Sequence, residues 1–384
     1  MLTGGGTGGH ITPVLAIADE LKKLRPGIRI VYIGQKDGAL SDIPSQHPAI
    51  DAAFAVRAGK FRRYHGEGWR QVFDLETQWL NIRDAFWVIV GIWQSFWLIR
   101  QLRPNIIFTR GGYVSVPVAL GGRLNGVPYI THDSDSTPSL ANRLIAGRAV
   151  AHAVALPKEL YPYPAAKTIM VGVPVSDQYQ LVDTKLQQKY REEAGIDAYK
   201  RVLFVTGGGN GADQLNKIVA DNVPALLERY KDLAIVHQAG RALEKWLNAR
   251  YDDLLSKVDR PRVMVKGFVT DLYRYSGAAD VIVARGGATG LAEFAVQRKA
   301  CIIIPSKQLV WQVHHARTLA SQHAIIDLAE QEAHQPGRFI DEVCDLFDHP
   351  AKREQLASAL HEFARPDAAK SLAMVLLEKM RPSR

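Results

Sequence analysis

Residues 1–21 read MLTGGGTGGHITPVLAIADEL, and residues 202–216 read VLFVTGGGNGADQLN. In both, a threonine opens a run of glycines that leads into a helix-like stretch, and the two runs lie about 200 residues apart. A glycine-rich turn at a helix start offers backbone N–H groups with little side-chain obstruction, which suits a phosphate. Two such turns predict an α/β protein of two Rossmann-like domains, each with a Gly-rich loop facing a shared cleft.

Working outward, apolar runs alternate with helix-like stretches. In the first half they are IRIVYIG (28–34), NIIFTR (105–110), PYITHD (128–133) and AVAHAVAL (149–156). In the second they are VLFVTGGG (202–209), LAIVHQAG (233–240), RVMVKGF (262–268), DVIVARGG (280–287) and ACIIIPS (300–306). Such runs read as strands of parallel sheets, and ligands sit at the C-terminal ends of such strands. The joint falls near MVGVPVSDQ (170–178), giving an N-terminal domain over 1–174 and a C-terminal domain over 175–365. Only Met1, Leu2 and Thr3 precede the first glycines. A central strand of about three residues leads us to expect that the true start lies upstream.

The chain has 384 residues, 47% hydrophobic and 23% charged, as in a soluble globular protein. The cysteines, Cys301 and Cys344, are too few and too far apart for a disulfide framework or a metal knuckle. The N-terminus lacks the basic stretch and apolar run of a signal peptide. A net charge of +9 fits an anionic partner, and nothing but that charge points to nucleic acid.

The stretch AFWVIVGIWQSFWLI (85–99) stands apart. It is too short to span a bilayer, which takes ~20 residues. Trp69, Trp79, Trp87, Trp93 and Trp97, five of the seven tryptophans, fall in or just before it. Arg57, Lys60, Arg62, Arg63 and Arg70 lie upstream, with Arg83, Arg100 and Arg103 at its flanks. A helix with an apolar face and basic flanks can lie in an anionic membrane surface. A buried crossover helix is the other reading. The two combine if one face joins the core and the Trp-rich face, with Trp87, Trp93, Phe96 and Trp97, points outward.

Gly4-x-Gly6-x-x-Gly9 alone is weak evidence for a dinucleotide site, and the acid expected at the end of the second strand is replaced by Gln35, with Asp37 two residues late. A dehydrogenase is disfavoured. His10 follows the glycines directly, and Pro13 is expected near the first helical turn. A helix N-terminus disfavours imidazolium and keeps the ring neutral, as a general base requires; a structural capping role is the alternative. In ARGGATGLAEFA (284–295), Gly286 to Gly290 would open a helix with Glu293 about one turn in. A carboxylate there can accept both hydrogen bonds of a ribose diol. The strand end KGFVTDL (266–272) offers backbone to read a base edge.

Taken in order and spacing, GGGTGGHITPVLAIADEL, RGGYVSVPVAL (110–120), GVPYITHDSDSTPSLANRLIA (126–146), GGGNGADQLN (207–216), HQAG (237–240), ADVIVARGGATGLAE (279–293), WQVHHA (311–316) and ARPDAA (364–369) resemble the MurG family. These are peptidoglycan glycosyltransferases of glycosyltransferase family 28 with the GT-B fold. The resemblance implies inverting transfer of N-acetylglucosamine from UDP-GlcNAc to the 4-hydroxyl of the muramyl residue of lipid I, giving lipid II. It implies an acceptor- and membrane-binding N-terminal domain, a nucleotide-sugar-binding C-terminal domain, and a last helix (366–384) packing back on the former. It places the enzyme peripherally on an anionic membrane at its cytoplasmic face, and implies neither metal nor other cofactor. His10 and Asp133 are then the catalytic candidates. Thr7, Gly8, Gly9, His10, Tyr113 and Asn142 would meet the acceptor. Gly208, Gly209, Asn210, Phe268, Val269, Gly287, Ala288, Thr289, Glu293 and Gln312 would meet the donor, with Glu293 on the ribose and the Phe268–Val269 backbone on the uracil.

The departures concern the sugar and acceptor contacts more than the fold. The family's HEQN is HDSD (132–135), its GGSQGA is GGGNGA (207–212), its GNPVR is GVPVS (172–176), and its QxxNA is Gln312-x-x-His315-Ala316. The threonine of its SGALT is Gly290 here, beside Thr289. Asp133-Ser134-Asp135 spells a metal motif of another glycosyltransferase fold, but two carboxylates alone make a poor site. The alternatives are a transferase placing another sugar on another lipid acceptor, or a UDP-sugar 2-epimerase of the same architecture. Oligomeric state is not legible.

Overall fold

The computed structural model describes residues 1–5, 8–36, 42–60, 75–135 and 137–382. The chain folds as two compact units, Met1–Ser176 with Arg365–Arg384, and Asp177–Ala364. Each is built on one parallel sheet.

The first sheet comprises β1 (Leu2–Thr3), β2 (Val31–Gln35), β3 (Ala52–Val56), β4 (Ile107–Thr109), β5 (Tyr129–Asp133), β6 (Ala151–Val154) and β7 (Thr168–Met170), in the order β3-β2-β1-β4-β5-β6-β7. The second comprises β8 (Arg201–Thr206), β9 (Leu233–Gln238), β10 (Val263–Lys266), β11 (Val281–Ala284), β12 (Ala300–Ile303) and β13 (Ile326–Asp327), in the order β10-β9-β8-β11-β12-β13. Both are doubly wound, and the strand order reverses at β1/β4 and at β8/β11. Ligands bind beyond the carboxyl ends of the strands at such switch points, and both Gly-rich loops leave from them.

The strands form where apolar residues run without alternation, because helices cover both faces. Val202, Leu203, Phe204 and Val205 of β8 are all fully buried. All nine runs quoted above became strands. β7 is the strand expected to end at MVGVPVSDQ, whereas β3 and β13 formed where no run was expected; all three lie at sheet edges.

Strand β1 is paired on both sides. Leu2 and Thr3 align with Tyr32 and Ile33 of β2 and with Phe108 and Thr109 of β4. Met1 extends the ladder: its carbonyl accepts from Phe108 N at 2.9 Å, and its buried amino group donates to Ile106 O at 3.0 Å.

Helix α1 (Gly8–Leu24) follows the first Gly loop. Pro13 was expected in its first turn, but the helix starts at Gly8, so Pro13 sits in the second turn. There its missing N–H forfeits one i→i−4 bond.

Helix α2 (Leu75–Leu102) has 28 residues, so the expectation that this segment is too short to span a bilayer does not hold. By length and composition it is long enough to cross a membrane, though only 22% of its most apolar window is buried. Its buried positions are small or polar: Thr77, Asp84, Gly91 and Ser95, with Ile99 near the C-terminal end. This face lies on α3 (Ser115–Leu124). A Cβ at Gly91 would overlap the Arg57 carbonyl oxygen, and one at Gly121 would stand 2.8 Å from Ser95 Cβ. Small residues thus bring the two helices into close contact.

The large apolar residues of α2 face away. Trp79, Ile82, Phe86, Ile89, Trp93 and Trp97 recur at three- and four-residue spacing and are each more than half exposed. Two of the expected outward residues differ. Trp87 is half-buried, with the Arg57 guanidinium 3.8 Å from its ring centroid. Phe96 is half-buried and stacked on Trp93 at 6.2 Å. The reason is their position on the helix, one step round from the outer stripe. Trp69, Arg62, Arg63 and Arg70 lie outside the described residues.

Further along come α4 (Leu140–Ile145), α5 (Asp213–Arg229), α6 (Ala288–Gln297), α7 (Val310–Ser321) and α8 (Ala368–Lys379). Helix α8 packs on α1 of the first unit. Asn105 and Arg381 anchor its exit by reciprocal hydrogen bonds of 3.2 and 3.4 Å.

Candidate active site

In the first unit the site is built where β1, β4 and β5 end. His10 is the third residue of α1. Its Nδ1 is buried without a hydrogen-bond partner among the described residues. Burial first, then the charge of Arg110, holds the ring down at about 4, against a favourable interaction with the Arg110 backbone. On a neutral imidazole an unpartnered ring nitrogen can serve as the accepting lone pair. Gly4 lets this helix end come close: a Cβ there would sit 2.7 Å from the His10 carbonyl oxygen.

Arg110 is the residue that the sequence reading missed, although it opens the quoted RGGYVSVPVAL. It is buried, its Nε has no partner among the described residues, and burial brings it down to about 10. Its charge acts on His10, His132, Asp133 and Asp135, so it is the electrostatic centre of the group. A buried arginine among carboxylates and histidines is a signal only once these strand ends are known to converge.

Asp133 closes β5 with its oxygens already engaged. Oδ1 accepts from Asn142 Nδ2 at 2.8 Å and from Ser139 N at 3.1 Å, and Oδ2 accepts from the Tyr163 hydroxyl at 2.7 Å. Burial nevertheless raises its pKa. Asn142 also donates to His132 O at 2.8 Å, and its Oδ1 is buried without a partner among the described residues. Asp133 and Asn142 therefore tie β5 to α4. The Tyr113 hydroxyl donates to Gln35 Oε1. Gly8 and Gly9 open α1, while Thr7 lies outside the described residues.

In the second unit, the loop after β8 is shaped by contact with its neighbours. Gly208 N donates to Thr206 Oγ1 at 3.0 Å. Gly211 has φ +77°, and a Cβ there would overlap the Ala239 carbonyl oxygen. Gly209 and Asn210 lie on this loop, before α5. The ends of β9 and β10 are joined, Ala239 N to Lys266 O at 2.8 Å and Gly240 N to Gly267 O at 2.9 Å. Phe268 follows with Arg241 5.2 Å over its ring, and Val269 continues the loop.

Helix α6 begins with Gly287 as its N-cap, and neither Ala288 nor Thr289 nor any other first-turn residue is acidic. Its N-terminal N–H groups thus carry an uncompensated positive end. Gly286 brings Gln312, third residue of α7, against this turn: a Cβ at Gly286 would be 3.4 Å from Gln312 Cβ. Gln312 Oε1 is buried without a partner among the described residues, as is Nδ1 of His315 one turn on. Glu293 is buried in α6, and burial lifts it to about 8 despite a hydrogen bond from Tyr179. Tyr179 was a second residue the sequence reading passed over.

The glycosyltransferase family 28 N-terminal domain matches residues 1–154, and the family's C-terminal domain matches residues 202–372. The chain belongs to glycosyltransferase family 28. Among its relatives, a UDP-N-acetylglucosamine–N-acetylmuramyl-(pentapeptide) pyrophosphoryl-undecaprenol N-acetylglucosamine transferase of Geobacillus kaustophilus is 33% identical, over 79% of this chain and 77% of that protein. One of the same name from Moorella thermoacetica is 29% identical over 98% of each.

As a family 28 chain it is a glycosyltransferase of MurG type, a hexosyltransferase. Acinetobacter baumannii MurG shares the fold with TM-score 0.67 at 21% identity, over 98% of each chain. The UDP-GlcNAc 2-epimerase of Neisseria meningitidis shares it equally, with TM-score 0.66 at 14% identity, over 98% of this chain and 99% of that one. The fold therefore does not separate transferase from epimerase. The family 28 match and the named relatives do, and they do not favour the epimerase.

Proposed function

We propose that the protein moves N-acetylglucosamine from UDP-GlcNAc to the 4-hydroxyl of the muramyl residue of lipid I, with inversion, giving lipid II for peptidoglycan. The observation that carries this reading is a half-buried imidazole, held neutral and with Nδ1 unpartnered among the described residues, at the first switch point of a chain whose relatives are named for this transfer.

His10 Nδ1 takes the proton of the acceptor hydroxyl as its oxygen bonds to the anomeric carbon and the bond to UDP breaks. Arg110 disfavours a charged His10 in the resting site and is placed to meet an anionic acceptor. Asp133 and Asn142 position the acceptor side, with Gly8, Gly9 and Tyr113 at its edge. On the donor side, the helix start at Gly287, Ala288 and Thr289 and the loop Gly208–Asn210 meet the diphosphate. These preorganised dipoles offset the charge that develops on leaving UDP, a role a cation would otherwise fill. Glu293 takes the ribose diol, the Phe268–Val269 backbone the uracil, and Gln312 the sugar.

The outer stripe of α2 supports a peripheral seat for the first unit on the cytoplasmic face of the membrane. Apolar rings with arginines on the same helix suit an anionic interface. Incubation of purified protein with lipid I and a panel of UDP-sugars, scored by product mass, tests the reading. A product heavier by one N-acetylhexosamine, from UDP-GlcNAc alone, is expected. Free UDP with an epimerised sugar and no new lipid product would overturn it.

A further inference from the structure

An apolar cavity of about 190 Å³ opens beside the first-unit site. Val88 of α2, Val116 of α3, and Leu140, Ala141 and Leu144 of α4 line it. One wall is Gly112, where a Cβ would lie 3.8 Å from two carbons of the His10 ring. At another point the lining carries Lys60 and Tyr113. At the rim Leu144 is 58% exposed, and the Val88 wall belongs to the helix whose outer face carries the exposed aromatic stripe.

We infer that this cavity binds the first isoprene units of the acceptor's polyprenyl chain, next to its diphosphate. The inference rests on the reading of a polyprenyl-diphosphate acceptor. Its occupant must be joined to something at His10, since the two share the Gly112 wall. It must be apolar where it meets the valines and leucines, and polar where the lining turns to Lys60 and Tyr113. A diphosphate esterified to a branched hydrocarbon has that order of parts. The relatives are named for an acceptor of that chemistry, a pyrophosphoryl-undecaprenol. Drug-sized ligands fill roughly 300–1,000 Å³, so this cavity takes only the start of the chain, and the remainder leaves past Leu144. The cavity thus sets how far from the bilayer the muramyl hydroxyl is held.

The test compares two soluble acceptors with the same muramyl-pentapeptide diphosphate, one esterified to geranyl and one to ethyl, in detergent. The wild-type enzyme should show a KM for the geranyl acceptor about tenfold or more below that for the ethyl one, at similar kcat. Val116→Trp, which fills the cavity from α3, and Val88→Phe, which fills it from α2, should each erase that preference by raising KM for the geranyl acceptor alone. Unchanged UDP binding by both variants shows that they are folded. A preference that survives both fillings, or a loss equal for both acceptors, overturns the inference while leaving the transferase reading intact. Failure of wild type to glycosylate either acceptor overturns the reading itself.

Discussion

The Tyr179 hydroxyl donates a hydrogen bond to the Glu293 carboxyl, inside the second unit. Tyr179 lies near the chain's entry to that unit and Glu293 is buried in α6, so a residue outside every quoted motif holds the proposed ribose carboxylate. Tyr273 flanks Tyr179 edge-on at 6.1 Å. Burial is the largest influence on Glu293 and lifts it from 4.5 to about 8.

A pH dependence of stability follows from that pair. Below about 4.5 the carboxyl is protonated whether folded or not, and contributes nothing. Between there and about 8 the unfolded chain gives up the proton while the folded one keeps it, so stability falls as pH rises, and the loss is complete above about 8. Glu293→Gln, neutral at every pH, should melt higher than wild type by a margin that widens from about pH 5 to about pH 9. A constant margin in calorimetry would show that Glu293 ionises normally.

UDP binding should show the same proton. A ribose diol donates to a carboxylate, so UDP affinity should rise with pH up to about 8, with release of a proton. Tyr179→Phe removes a bond that favours the ionised form, so the midpoint should move to higher pH. Calorimetric titration in two buffers of different ionisation enthalpy measures both effects, and equal heats would refute them.

His10→Ala should lower transfer by about 10²-fold or more. With the ring held down at about 4, wild-type kcat/KM should stay flat through the usual histidine range and fall on the acid side only towards about pH 4. Near-normal turnover of His10→Ala would remove it from the role of base, and an acid limb near about 6.5 would remove the burial argument.

The outer stripe of α2 should carry membrane binding. Trp93→Asp with Trp97→Asp is expected to weaken binding to anionic liposomes while leaving UDP affinity as it was. Equal co-sedimentation of variant and wild type would assign the stripe another partner.

The inner face of α2 should carry stability instead. Gly91→Ala forces the helix off the Arg57 carbonyl and should cost about 1–3 kcal/mol. Ile89→Ala, two positions away and 65% exposed, should stay within about 0.5 kcal/mol. Urea melts separate the two, and equal losses would mean that the helix is packed the other way round.

Much of the fold was legible in the sequence. An unbroken apolar run such as VLFV (202–205) must be covered on both faces, which demands parallel strands under helices. The glycines after β1 and β8 mark where backbone must approach backbone, and the order of motifs along the chain was enough to show the family. The edge strands β3 and β13 were not legible, since an edge needs neither length nor a continuous run. The direction of α2 was legible in part: Trp93 and Trp97 face outward as expected, while Trp87 and Phe96 do not. Its residues are apolar nearly all round, so polarity gives no period to read, and packing against α3 through Gly91, Ser95 and Gly121 decided which face is covered. Arg110 and Tyr179 were hidden for a related reason. Their chemistry depends on neighbours 100 or more residues away, Arg110 from His10 and Tyr179 from Glu293, and only tertiary structure sets those distances and the burial that shifts the charges.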